Sequence, residues 1–237
     1  MRILLTRPEP DAARTAAALR ARGHEVVAMP LLRIAPVVDA ELGDGPWGAV
    51  LATSANACRV LAAHKNFADL VGLPLFAVGA RTAEVARAAG FSAVVSADRD
   101  VAALARLVAG RLADPSLPLL YPAGEERAGD LEAALAAHGF TVRMVVVYRA
   151  IAEPHMTAAI AARLAAGDID GVLHFSRRSA DAFMAAARAA DLLSRSLKIQ
   201  HYCLSAQVAA PLAAAGAAKI RIAPEPHERA LLDMLVD

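Results

Sequence analysis

Residues 1–30 read MRILLTRPEPDAARTAAALRARGHEVVAMP. The short apolar run ILLT at 3–6 is followed by an alanine-rich amphipathic stretch over 11–22, and Gly23 supplies the left-handed turn that stops a helix. EVVAM at 25–29 then resumes a β-branched run. This is one βαβ unit, and its rhythm recurs along the chain. Strand-like segments stand at GAVLAT (48–53), PLFAV (74–78), SAVV (92–95), LPLLYP (117–122), TVRMVVV (141–147), DGVLHF (170–175), KIQHYC (198–203) and AKIRI (218–222), nearly all followed by helix-like sequence. Continuously apolar strands alternating with helices predict an α/β chain of parallel sheets covered by helices on both faces.

The unit also repeats. Residues 4–34 align with 120–150, pairing Gly23 with Gly139, Val26 with Val142 and Arg33 with Arg149. VLATSANA around Ser54 then aligns with VLHFSRRS around Ser176, and FAVGARTAEVARAAG with YCLSAQVAAPLAAAG. Between the aligned blocks lie PLLRIAPV near 30–37 and VVVYRAIAE near 145–153, where Pro36 and Pro154 oppose helix. Two similar α/β lobes joined by two extended crossings suggest a hinged pair. The repeat leaves open whether the lobes are contiguous halves or are exchanged across the crossings.

Composition excludes several classes. With 237 residues, 57% hydrophobic and 21% charged, the chain can form two packed cores and is too apolar to be disordered. Basic and acidic residues number 25 and 24, giving a net charge of +1. That balance lacks the one-sided field of a protein living on nucleic acid or an anionic membrane. No apolar stretch has the length of a membrane span or the core of a signal peptide. Cys58 and Cys203 form neither a metal knuckle nor a redox pair, which suits a reducing cytoplasm.

Ligands of open parallel sheets bind beyond the carboxyl ends of strands. The loops there are Thr6-Arg7-Pro8, Thr53-Ser54-Ala55-Asn56, Val78 to Thr82 around Gly79, Pro122 to Glu125 around Gly124, Phe175 to Ser179 and Leu204 to Gln207 around Ser205. Taken singly, Ser, Thr or Asn before a helix is an ordinary N-cap. Taken together, six small polar loops with Arg7, Arg81, Arg177 and Arg178 suit a ligand carrying many carboxylates, each helix end adding about 0.3–1 kcal/mol per charge. Arg177 and Arg178 oppose the dipole of the helix they open and so call for another purpose. Glu125 and Glu126 read as first-turn helix residues that favour a dipole.

GxGxxG, P-loop, GxSxG and HExxH motifs are missing, which removes the main support for dinucleotide, nucleoside triphosphate, serine hydrolase and zinc protease chemistry. The seven histidines are scattered, with His174 and His201 inside strands, and read as structural or solvated. Tyr148, one of three tyrosines, lies on a crossing.

The order LLTRP, TSANA, AVGARTAEVARAAGF, LYPAGEERAGDLEAAL, GFTVRMVVVYRA, FSRRSADAF and CLSAQVAAPLAAAG resembles the uroporphyrinogen-III synthase family from end to end. The resemblance implies two flavodoxin-like parallel-sheet domains joined by a two-stranded crossing: 1–33 with 154–237, and 38–146, with 34–37 and 147–153 as linker strands. It implies that hydroxymethylbilane, a linear tetrapyrrole with eight carboxylates, is cyclised with loss of water and inversion of ring D through a spiro intermediate. Neither metal nor organic cofactor is implied. Carried over by position are Arg7, Thr53, Ser54, Gly79, Thr82, Gly124 and Ser176 toward substrate, with Tyr148 as the candidate hydrogen-bond donor to the departing hydroxyl. Asn56, Arg177, Arg178 and Ser205 join the substrate set from the loop reading. Family members often carry glycine and threonine in the turn that here holds Ser205, Gln207 and Val208, so a threonine contact there is absent or supplied otherwise.

The resemblance further implies a cytoplasmic monomer acting on a small molecule, without nucleic acid or membrane, and in transient contact with the upstream bilane synthase. A non-catalytic hinged binding or sensor module for a polyanionic small molecule is the alternative. A pair of receiver-like signalling domains would need acidic clusters at strand ends, which ILLTRPEP, AVLATS and LPLLYP do not offer.

Overall fold

The computed structural model of the chain describes residues 1–127 and 129–235. Its first elements are β1 (Arg2–Leu5), α1 (Asp11–Ala21), β2 (Glu25–Ala28) and β3 (Leu32–Pro36). Then come β4 (Ala49–Ala52), α2 (Ala55–Ala62), α3 (Phe67–Leu70), β5 (Leu75–Ala77), α4 (Ala80–Ala89), β6 (Val94–Ser96) and α5 (Val101–Arg111). β7 (Leu119–Gly124), α6 (Leu131–Ala136), β8 (Val142–Ala152), α7 (Ala158–Ala166), β9 (Gly171–His174) and α8 (Arg177–Ala189) follow. The chain closes with α9 (Leu193–Ser196), β10 (Gln200–Cys203), α10 (Ala206–Ala214), β11 (Lys219–Ile222) and α11 (Glu228–Leu232).

Two compact units result: Met1–Arg33 with Ile151–Asp237, and Ile34–Ala150. The first holds a five-stranded sheet in the order β11-β10-β9-β1-β2, whose neighbouring strands are parallel. The second sheet has six strands in the order β3-β8-β7-β4-β5-β6, parallel from β8 to β6. Beside β3, the Val37 N–H donates to the Val147 carbonyl and the Glu153 N–H to the Leu31 carbonyl, both at 2.9 Å, so β3 and β8 run in opposite directions. The boundary of the units falls inside these two strands. The α/β class with parallel sheets is thus as the sequence indicated.

Both faces of each sheet are buried, which is why its strands are apolar without alternation. In β1, Leu4 joins one core cluster while Ile3 and Leu5 join another. In β4, Val50 and Ala52 face one cluster while Ala49 and Leu51 face the second. Each fully buried leucine contributes about 1.5–3 kcal/mol, so the central strands hold their registers firmly. The helices end as their residues dictate. Gly23 takes φ +83° and its N–H donates to the Arg20 carbonyl at 2.9 Å. An added Cβ there would meet nothing within 4 Å, so glycine is needed for its backbone angle alone.

Glu125 and Glu126 are a correction: they lie in a bend after β7, not in a helix. α6 begins only at Leu131, because Gly129 turns at φ +80° and the Asp130 side chain then caps the Ala133 N–H at 2.9 Å. Glu125 instead pairs with Arg149 at 3.0 Å.

Candidate functional site

In each unit the loops singled out in the sequence lie at the carboxyl edge of the sheet. In Ile34–Ala150 they follow β4 and β5 and end β7; in the other unit they follow β1, β9 and β10.

The richest geometry is in Ile34–Ala150. Ser54, extended at φ −142° and ψ 135°, caps α2, its Oγ accepting the Asn56 N–H at 3.2 Å. Tyr148 donates its phenolic hydrogen to the same Oγ at 3.0 Å. Thr53 Oγ1 lies 2.8 Å from the Tyr121 hydroxyl. Two hydroxyl pairs, Thr53 with Tyr121 and Ser54 with Tyr148, therefore flank the turn where β4 runs into α2.

Strand register explains why Tyr148 arrives there. β7 and β8 pair regularly up to Ala123 with Val146, and then Gly124 pairs with Tyr148, so Val147 is the extra residue of a bulge. Such a bulge re-aims the next side chain. It lays the Tyr148 ring over Gly124, where a Cβ would fall 2.7 Å from Cζ and 2.9 Å from the hydroxyl oxygen. Any side chain at 124 would displace the ring. The Glu125 N–H donating to the Tyr148 carbonyl at 3.0 Å closes the arrangement.

Gly79 precedes α4 in ordinary extended backbone at φ −153°, and an added Cβ would meet nothing within 4 Å. Neither space nor backbone requires glycine, but its absence of side chain opens the α4 N-terminus, where no side chain caps the first N–H groups. Thr82, in the first turn, is 6% exposed and its carbonyl lies 3.9 Å from Cys58 Sγ. Asn56 Oδ1 accepts from Arg59 at 2.6 Å, and Arg81 pairs with Glu84 at 2.8 Å.

The other unit is organised differently. Ser176 caps α8 through the Ser179 N–H at 3.1 Å and touches the Ser179 hydroxyl at 2.8 Å. Arg177 is exposed, with Asp181 one turn along at 3.9 Å, and Arg178 follows it half-buried. Asp181 thus supplies a local partner for a cation set against the helix dipole. Ser205 precedes α10 without capping it, and its hydroxyl has no hydrogen-bond partner among the described residues. Val208 is 5% exposed and packs in the core, so a hydroxyl at that position would also point inward.

Arg7 is paired within its own unit. Its guanidinium donates to Glu228 at 2.8 Å and Thr15 at 3.1 Å, approaches Asp11 at 3.7 Å, and stacks 4.4 Å from the Phe175 ring centroid. Glu228 also accepts from Arg14 and, at 2.7 Å, from Thr15. Burial pushes the Glu228 carboxyl up, but the Arg7 charge and these hydrogen bonds outweigh it and hold it below its ordinary value. Arg7 therefore ties α11 to the start of α1.

Two buried groups stand apart from the loops. His201 Nε2 lies 3.1 Å from the Ser196 carbonyl, which fixes it as the donor and leaves Nδ1 to accept from His174 Nε2 at 3.0 Å. Burial, with the His201 charge second, holds His174 well below its usual range, and burial brings His201 to about 4. Burial likewise pushes the Cys58 and Cys203 thiols up to about 12, which leaves them poor nucleophiles. Among the described residues there is no cluster of His, Cys, Asp and Glu that could hold a metal, and no helix long and apolar enough to cross a membrane.

Sequence reasoning missed Tyr121. It is 2% exposed, burial pushes its phenol up, and its hydroxyl bonds the loop residue Thr53. The one available signal was a hydroxyl inside the apolar run LLYPA.

A family model described as uroporphyrinogen-III synthase HemD matches residues 13–233. No curated protein sequence matches the chain. Among solved structures the chain is similar to the uroporphyrinogen-III synthetase of Helicobacter pylori, with TM-score 0.67 and 19% identity over 99% of this chain and 98% of that one. It is also similar to a mutant uroporphyrinogen III synthase of Thermus thermophilus, with TM-score 0.55 and 19% identity over 99% and 96%. At that identity the likeness concerns the fold.

Proposed function

This chain belongs to the uroporphyrinogen-III synthase family, and we propose that it closes hydroxymethylbilane into uroporphyrinogen III, with loss of water and inversion of ring D, through the loops at its sheet edges. The family match over nearly the whole chain carries the reading; the Tyr148–Ser54 hydroxyl pair beside Gly124 supports it.

The chemistry asks little of a strong acid, since electron-rich pyrroles expel the hydroxyl readily. What the protein adds is conformation. Holding the exocyclic carbon of ring A against the substituted carbon of ring D can contribute about 7–11 kcal/mol. The substrate's carboxylates give the protein its handles. The uncapped starts of α4 and α10 offer backbone N–H groups to them, and Gly79 lets a carboxylate come close. Thr53, Ser54, Asn56, Thr82, Gly124, Ser176, Arg177, Arg178 and Ser205 stay in the proposed substrate set. Arg7 joins through the shape of its loop, its charge being matched by Glu228. Tyr148 assists departure of the hydroxyl from the pair it forms with Ser54.

In this reading the enzyme is a cytoplasmic monomer that takes its linear tetrapyrrole from the upstream bilane synthase in a transient contact, and it calls on no metal or organic cofactor. Conversion of freshly made hydroxymethylbilane to the type III rather than the type I isomer tests the activity. Nothing in the comparisons favours a non-catalytic binding module.

A further inference from the structure

The Tyr148 hydroxyl hydrogen is directed at Ser54 Oγ, 3.0 Å away, and the same oxygen accepts the Asn56 N–H at 3.2 Å. A serine hydroxyl has two acceptor positions and one hydrogen. Both acceptor positions are taken, so the hydrogen of Ser54 is its remaining valence, and it has no acceptor among the described residues. Ser54 is half-buried, at the mouth of β4, so a ligand at the sheet edge can reach that hydrogen. Its neighbour Thr53 is pinned by the buried Tyr121 hydroxyl at 2.8 Å, which fixes the turn from the other side.

Resting on the synthase reading, we propose that Ser54, and not Tyr148, touches the departing hydroxyl, with Tyr148 behind it as a positioning and proton-supplying residue. The carbon–oxygen bond of the ring A hydroxymethyl group breaks as the pyrrole nitrogen lone pair moves through the ring to form an exocyclic double bond and a cation. The departing oxygen keeps the electron pair of the broken bond, takes the Ser54 hydrogen and leaves as water. Ser54 Oγ takes the Tyr148 hydroxyl proton in the same movement, leaving a tyrosinate that balances the new cation. The cationic carbon bonds to the substituted carbon of ring D, which then releases its bond to the bridge from ring C. The freed bridge carbon bonds to the unsubstituted carbon of ring D, and the proton returns to Tyr148 as that carbon sheds its hydrogen and aromaticity is restored.

Series and parallel arrangements differ in a double-mutant cycle. The measurement is kcat at saturating hydroxymethylbilane, generated in place, with the product isomers separated, for wild type, Ser54→Gly, Ser54→Thr, Tyr148→Phe and Ser54→Gly/Tyr148→Phe. Glycine is a competent N-cap that costs only a few tenths of a kcal/mol against serine, so a capping role alone leaves Ser54→Gly near wild type. The relay requires Ser54→Gly to lose about 100-fold in kcat, the lower range of general-acid catalysis. It also requires Ser54→Thr, which restores the hydroxyl, to recover most of that loss, and the double variant to be no slower than Ser54→Gly. Wild-type kcat in Ser54→Gly, or a double variant slower by the product of the two single losses, would overturn the relay while leaving the synthase activity standing. Wild-type protein yielding isomer I alone would instead remove the reading beneath it.

Discussion

Gly124 and Tyr148 are so closely apposed that a methyl group on Gly124 would lie 2.7 Å from Tyr148 Cζ. The contact exists because the bulge at Val147 sets these two residues opposite each other. Gly124→Ala is expected to swing the phenol off Ser54 and lower kcat by about 10- to 100-fold, since a misplacement of about 1 Å can cost that much. β7 remains a strand compatible with alanine, so the melting temperature should stay within a few degrees. Steady-state kinetics beside a thermal melt checks both halves. Full activity in Gly124→Ala would show that the ring's position is immaterial.

Tyr121 acts on the same turn from below. Its buried hydroxyl holds Thr53 Oγ1 at 2.8 Å, and Tyr121→Phe removes that bond while keeping the ring in the core. A hydrogen bond of this kind contributes about 1 kcal/mol. The expected result is a KM for hydroxymethylbilane raised severalfold with kcat little changed, because the Thr53–Ser54 turn loosens while its donors remain. An unchanged KM would assign Tyr121 to packing alone.

These two contacts show where sequence reading reached and where it stopped. The βαβ unit over 1–30 was legible because apolar period, the alanine-rich stretch and Gly23 are all local signals, and each maps onto β1, α1 and β2. The carboxyl-edge loops followed from strand order. The Tyr121–Thr53 bond did not, because it depends on β7 lying beside β4, an adjacency that no spacing in the sequence encodes. The Arg7–Glu228 pair was out of reach for the same reason, since the two residues are 221 positions apart. Glu125 was misplaced because acidic residues before an alanine-rich stretch look like a first turn, whereas Gly129 and Asp130 delay the helix.

Glu228 ties α11 to Arg7, Arg14 and Thr15. Its carboxyl is held below the ordinary value of 4.5, so its contribution to stability is complete above about pH 4.5 and is lost as pH falls through the depressed folded value. Glu228→Gln is expected to lower stability by about 1–3 kcal/mol at pH 7, the cost of weakening charged hydrogen bonds at a largely buried site. It should also flatten the acid limb below pH 4.5. Urea denaturation at pH 7 and at pH 3.5 reads both effects, and equal losses at the two pH values would contradict the assignment.

His174 and His201 give a second, higher pH limb. Both are fully buried and held neutral below their ordinary value of 6.5, His201 at about 4. Between those limits the unfolded chain binds more protons than the folded one, so stability is full above about pH 6.5 and falls as pH drops toward 4. His201→Gln should remove part of that slope. The check is the melting temperature from pH 7.5 to 4.5: a steady decline in wild type, shallower in the variant. A flat wild-type profile over that range would show that the pair is not buried in its neutral form.

The most direct test of the synthase reading joins the protein to a bilane synthase that makes hydroxymethylbilane in the same vessel, oxidises the products and separates the porphyrin isomers. Unassisted closure gives isomer I. An isomer III fraction that rises with added protein toward near-complete conversion is the expected result. Isomer I alone, with folded protein in excess over the bilane, would contradict the assigned activity.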